Sequence, residues 1–347
     1  MYRKLFAALT FICVCGYLPA QTQNAAERAA AETLSASNEF DIQEARGFQT
    51  NVRHLLNNDE FAKLEAIADK ARTTKAHFRG GAWKLHSFYA VAQGPGSLTS
   101  TNDVWQAHIA RLNRWVAAYP NSPTSHIALA RAYERYAWKA RGMGDANTVT
   151  ADGWKQFKAR IQQAREILEA SQSIAGKDPH WYWTMQTVAL AQGWPRAQVD
   201  QLVDHAFAVE PGYYYVYTNE ANYLLPRWYG KPGEAEEFAQ SIADRVGGDE
   251  GNAIYFHIAE TDDCCGKRDR LPNLSWDRVK QGFNAVENAY GSTNHQRNVM
   301  AFLAIRNQDQ EFAAQMFDRI GDDWDQGVWG SQANFNSRTV PQPDPSK

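Results

Sequence analysis

The chain has 347 residues, 44% hydrophobic, 12% aromatic and 22% charged. That is apolar material for one large domain or two ordinary ones, and it excludes a disordered, collagen-like or disulfide-scaffold protein. With 36 basic against 39 acidic side chains the formal charge is −3, which gives no electrostatic case for binding nucleic acid or an anionic membrane.

Arg3 and Lys4 precede an apolar run from Leu5 to Leu18, followed by Pro19, Ala20 and polar residues from Gln21. A short basic region, an apolar core and a small residue at the exit describe a secretory signal peptide over residues 1–20. The chain is therefore expected to be exported, to the periplasm or beyond. The apolar run is too short for a membrane span, and none follows it, so no span is expected after cleavage. Cys13 follows Ile12 and Cys15 follows Val14, which argues against a lipoprotein. Cleavage removes two positive charges, leaving −5, and leaves Cys264 and Cys265 as the remaining cysteines.

From the Ala-rich opening (Ala25 to Ala36) onward, apolar residues recur at helical spacing. Phe61, Leu64, Ala68 and Ala71 share a face, as do Leu112, Trp115 and Val116, and Phe157, Ile161, Ala164 and Leu168. The one run that could alternate as a strand is Tyr213 to Tyr217, and Pro211-Gly212 before it could equally start a helix. Gln93 to Thr101 is the clearest internal loop, and an insertion from Gly142 to Gly153 separates the helices of one hairpin. Gly142-Met143-Gly144 reads as a turn. The expected fold class is all-α.

Tyr119-Pro120, Asp178-Pro179 and Glu210-Pro211 each close one helical segment and open another. The last two prolines are 32 positions apart, near the tetratricopeptide period of about 34 residues. Trp183 falls on the early aromatic of that repeat, Ala206 on its second-helix alanine, and Leu129, Ala130 and Tyr133 on its L-G-x-x-Y positions with Ala for Gly. Tyr217 and Ala221 fit a further register, followed by Pro232, Gly233, Ala235, Phe238 and Ala239. Other registers drift, so the expectation is an irregular α-solenoid of tetratricopeptide-like hairpins over residues 21–330, then a disordered tail over residues 331–347.

Three segments are rich in aromatic and basic residues: Gly80 to His86, Trp138 to Gly142 and Leu225 to Gly230. Trp83 and His86, like Trp138 and Arg141, are three apart and share a helical face. Either these pairs lock hairpins together at helix ends, or Trp83, Lys84, His86, Trp138, Arg141, Arg227, Trp228 and Tyr229 line a concave binding face. With Asp178-Pro179 and Trp181-Tyr182, these segments resemble the bacterial domain-of-unknown-function family 4034, over roughly residues 41–307. The resemblance implies a helical fold and bacterial origin, and carries no activity.

The sequence lacks a G-x-S-x-G elbow, a phosphate loop, H-E-x-x-H and C-x-x-C. No cofactor or metal is expected. The only intramolecular disulfide open to Cys264 and Cys265 is a strained vicinal one, since adjacent α-carbons lie about 3.8 Å apart; two free buried thiols, a loop clip, or an intermolecular disulfide or redox role are the alternatives. His257, Glu260, Asp262 and Asp263 are a minor metal reading. The main expectation is a non-catalytic scaffold taking a protein, peptide or glycan partner. The alternative is a glycan-acting enzyme on a helical toroid, with Glu220, Glu134 and Asp152 as candidate carboxylates.

Overall fold

The computed structural model describes residues 42–142, 146–226, 228–262, 271 and 273–338. The proposed leader, Arg227, Asp263, Cys264 and Cys265 lie outside the described residues, as does the chain beyond residue 338. The described chain is helical. Tyr215–Tyr223 is a helix, and the one extended pairing is an isolated bridge between His77 and Trp83. None of these helices is long and apolar enough to cross a membrane.

The chain divides into two units. Among described residues the first takes in Arg46–His77 and Ala82–Phe238, and the second residues 42–45, Phe78–Gly81 and the chain from Ala239.

Helix α1 (residues 42–57), which belongs to the first unit from Arg46 on, and α2 (Phe61–Thr73) and α3 (Lys84–Ala92) come before the loop that ends at Thr101. Then follow α4 (Asn102–Ala118), α5 (Pro123–Arg141), α6 (Ala151–Ala175), α7 (Pro179–Gln192), α8 (Arg196–Val209) and α9 (Tyr215–Tyr223). Capping explains most of the starts. Thr101, Ser122, Thr150 and Asp178 accept hydrogen bonds from first-turn backbone N–H groups, and Pro123 and Pro179 stand in the first turn, where no N–H is missed. Tyr119, Asp178 and Glu210 each lie at a helix junction. Each of α5 and α7 packs on the helix after it and on the next but one, α5 on α6 and α7, and α7 on α8 and α9. The contact sides are apolar: Phe157, Ile161, Ala164 and Leu168 of α6 are buried, and so is small Ala130 of α5.

The division falls within α10 (Glu234–Val246). The second unit continues with α11 (Gly248–Asp262), α12 (Trp276–Tyr290), α13 (Asn294–Arg306), α14 (Gln310–Ile320), α15 (Gln326–Trp329) and α16 (Gln332–Asn336). The expected tail from Ser331 thus begins with a helix, because Phe335 is buried against Phe317 and Trp329. The turn Arg79–Gly81 belongs to this unit: Gly80 N–H donates to the Gly291 carbonyl at 2.8 Å, and Gln296 Nε2 to the Gly80 carbonyl at 3.0 Å. Gly80 sits at φ 78°, where a Cβ would lie 2.7 Å from Gln296 Oε1.

Helices α11 and α12 approach closely at Gly282, where a Cβ would stand 2.0 Å from the Asn252 carbonyl oxygen and 2.7 Å from Phe256 Cβ. Gly282→Ala must push the helices apart. The expected cost is about 2 kcal/mol even after the better helix propensity of Ala. A urea unfolding midpoint equal to that of the parent would show that the helices give way freely there.

Candidate functional site

In the first unit α3, α5, α7 and α9 lie side by side, and each consecutive pair packs together. Helical periodicity brings several side chains to one side. They are His86 and Ala90 of α3 with Gln93 at its C-cap; Arg131, Arg135 and Trp138 of α5; Trp183 and Thr187 of α7; and Tyr215 and Asn219 of α9. Ala90 is exposed and Arg131 buried, while the others are half-buried.

Beneath this row is a buried polar network built on Asp178, the N-cap of α7. Its Oδ1 accepts from the His180 backbone N–H at 2.9 Å; its Oδ2 accepts from Arg72 Nε at 2.8 Å and the Tyr89 hydroxyl at 2.7 Å. The Asp178 side chain is wholly buried. Arg72 Nη2 also donates to Thr124 Oγ1 at 2.8 Å. The His180 ring stacks on Tyr89 at 4.3 Å, and its Nδ1 lies 2.8 Å from the Tyr213 hydroxyl.

Above it, His86 stacks on Tyr215 at 3.6 Å and meets Trp183 edge-on at 5.0 Å. The Arg131 guanidinium covers the Trp183 ring at 4.2 Å. Its Nη1 donates to Glu134 Oε2 at 2.6 Å and its Nη2 to the Gln93 amide oxygen. Three buried atoms of this cluster have no hydrogen-bond partner among the described residues: Arg131 Nε, His86 Nδ1 and His180 Nε2. Desolvation, reinforced by the Arg131 charge, lowers the His86 pKa to about 3 and pushes His180 well below its usual value, so both are neutral at pH 7. Burial lowers Arg131 to about 10 against the pull of Glu134, so it keeps its charge.

A second buried group is Glu220 of α9. Gln186 Nε2 donates to its Oε2 at 3.3 Å, while Oε1 has no partner. Burial raises its pKa to about 8, with Arg196 opposing and Asp200 adding to the shift, so the carboxyl is mostly protonated at neutral pH.

The sequence candidates fall in separate places. Trp83 is buried at the start of α3, edge-on to Tyr213 at 5.1 Å, and Lys84 beside it is half-buried. His86 and Trp138 stand in the row on α3 and α5. Arg141 is buried, its guanidinium 5.9 Å from both the Trp138 and Trp154 ring centres. Trp228 is buried; Tyr229 is exposed, stacked on Tyr223 at 4.8 Å, with its hydroxyl donating to the Leu190 carbonyl at 3.4 Å. Glu134 is paired with Arg131, Glu220 with Gln186, and Asp152 is exposed in the first turn of α6. His257 Nδ1 faces Glu260 Oε2 at 3.1 Å, and no cluster of three or more His, Cys, Asp or Glu suited to a metal ion occurs among the described residues. The site residues that went unnoticed are Arg131, Arg135, His180 and Gln93. Arg131, Arg135 and Trp138 carry a readable signal, since i, i+4 and i+7 share a face.

Comparison with curated proteins and with solved structures returns no match. Residues 49–173, just over a third of the chain, match the family model described as Domain of unknown function (DUF4034), which supports the resemblance to that family across α1 to α6.

Proposed function

We propose that the protein is an exported bacterial scaffold of tetratricopeptide-like hairpins, without catalytic activity, that holds a protein, peptide or glycan partner on the row formed by α3, α5, α7 and α9. The observation that carries this reading is the alignment on four neighbouring helices of half-buried aromatic and amide side chains, a pattern suited to an extended ligand. The hairpin reading draws support from the packing of α5 and α7 on both the next helix and the next but one, and from buried Ala130, Ala206 and Ala221. Export rests on the leader-like residues 1–20, and an N-terminus at or near Gln21 in the secreted protein tests it. Arg141 and Trp228, being buried, act in this reading as packing groups.

The test blocks the row without disturbing the core. Ala90 is exposed between His86 and Gln93, so Ala90→Trp adds bulk over the row and removes no contact. Affinity capture from the envelope fraction is expected to yield a partner with the parent and to lose it with Ala90→Trp. Equal capture by both would place binding elsewhere. The enzyme reading is favoured by one observation, the neutral buried carboxyl of Glu220, which is poised to donate a proton. Glycan turnover lost in Glu220→Gln would establish it.

A further inference from the structure

Arg131 and Arg135 are one turn apart on α5 with the single carboxylate of Glu134 between them. Arg135 is half-buried, and among the described residues it makes no hydrogen bond or ion pair. Burial lowers its pKa, with Glu134 opposing. The local balance is one positive charge in excess, in partly desolvated surroundings where a guanidinium is costly to leave unmatched. Arg131 shows how that cost is managed for the moment. Its Nη1 is taken by Glu134, and of the two donors on its other edge, Nη2 is held by the neutral Gln93 amide oxygen and Nε by nothing.

A guanidinium edge made of Nε and Nη2 matches the two oxygens of a carboxylate or phosphate, and such charge-assisted pairs are about twice as strong as a neutral hydrogen bond. Gln93 is half-buried at the C-cap of α3 and its Nε2 donates to the Ala90 carbonyl at 3.0 Å, so swinging its side chain out gives up that neutral bond and the one to Arg131, which a charge-assisted pair can offset. The Trp183 ring lies under the same guanidinium at 4.2 Å and His86 meets that ring edge-on at 5.0 Å, which holds the donor edge in place for an incoming anion.

We infer that the row binds an oxyanion, a carboxylate or phosphate, which displaces the Gln93 amide from Arg131, takes its Nε and Nη2 together and neutralises Arg135. This rests on the scaffold reading and names the chemistry its ligand carries at that point.

The test titrates the full chain, by calorimetry at low and at physiological salt, with hexaglutamate, hexaglutamine and inorganic phosphate. Hexaglutamate or phosphate is expected to bind and hexaglutamine not to. Binding should weaken at least tenfold in Arg135→Gln with the helical circular dichroism unchanged. It should tighten severalfold in Gln93→Ala, which removes the competing acceptor, and stay as in the parent in Arg165→Gln, whose arginine pairs with Glu169 on α6. Hexaglutamate alone points to carboxylates of a chain as the source, and phosphate to a phosphoryl group. A parent that binds neither probe, or an Arg135→Gln variant that binds as the parent does, overturns the inference. Were Arg135→Gln to lose its helical signal, unchanged affinity in Gln93→Ala would overturn it equally. If Ala90→Trp still abolishes partner capture when this happens, the scaffold reading survives alone; if Ala90→Trp changes nothing, the scaffold reading is the one that fails.

Discussion

Replacing Asp178 with Ala is expected to cost about 4–5 kcal/mol, most of what a typical domain has to spare. The carboxylate is wholly buried and serves three donors at once: the Arg72 guanidinium, the Tyr89 hydroxyl and the first turn of α7. Losing the cap alone is worth about 1 kcal/mol. Leaving the mostly buried Arg72 without its counter-charge, and the Tyr89 hydroxyl without an acceptor, adds the desolvation cost of both, roughly 3–4 kcal/mol. Asp178→Asn keeps an oxygen for the cap or for Tyr89 but not the charge, so it should fall between parent and Ala. Urea unfolding followed by circular dichroism measures the series. A loss below about 1 kcal/mol in Asp178→Ala would show that Arg72 finds water or Asp69 instead, its exposed neighbour at 3.4 Å.

The ends of helices were legible because their causes are local. Asp178-Pro179 carries both a cap and a proline suited to the first turn, and α7 starts there. The Tyr213 to Tyr217 stretch shows the limit. Its spacing allows a strand, but α9 begins at Tyr215, whose ring stacks on His86, with Val216 and Tyr217 buried behind it and Tyr213 buried just ahead of the helix. By its neighbours Phe335 belongs to a polar tail, because the two aromatic residues that bury it lie earlier in the chain. Likewise nothing near Gly80 announces that its backbone bonds Gly291.

The site was less legible for the same reason. Within one helix, spacing gave the Trp138 and Arg141 pair, and their guanidinium-to-ring distance of 5.9 Å agrees with a shared face. The site itself depends on which helices are neighbours. Arg131 meets Trp183 of α7 and Gln93 of α3, and Asp178 meets Arg72 of α2; each is a pairing across loops that periodicity does not report. The aromatic-basic segments attracted notice by composition, yet burial removes Arg141 and Trp228 from the surface, and what remains open is a row of unremarkable amides and rings.

Stability is expected to peak near pH 6.5 and to fall steeply on the acid side. His86, with a folded pKa near 3, His108, near 4, and His180, well below 6.5, are all neutral in the folded chain. Desolvation is the main cause in each; Arg131 adds to it for His86 and His180, and Arg53 and Arg111 for His108, whose ring also bonds the Ala92 carbonyl. The unfolded chain protonates these rings below about 6.5 while the folded one does not, so it gains about 1.4 kcal/mol per pH unit for each histidine, roughly 4 kcal/mol per pH unit for the three. Glu220 works in the opposite sense. Its folded pKa of about 8 lies above the unfolded value, so its contribution is present at low pH and lost as pH rises from about 4.5 to 8. Between pH 6.5 and 4.5 the histidines outweigh it three to one, a net fall of about 5 kcal/mol, comparable with the whole stability of many domains. Above pH 6.5 Glu220 acts alone, and Glu220→Gln should flatten that limb. His108→Leu should make the acid limb between pH 6.5 and 4.5 shallower by about half and leave the alkaline limb as it is. Unfolding midpoints that hold level from pH 6.5 to 4.5 would mean that water reaches these rings, and the polar cluster around Arg131 would then be an open, solvated site with its donors already satisfied.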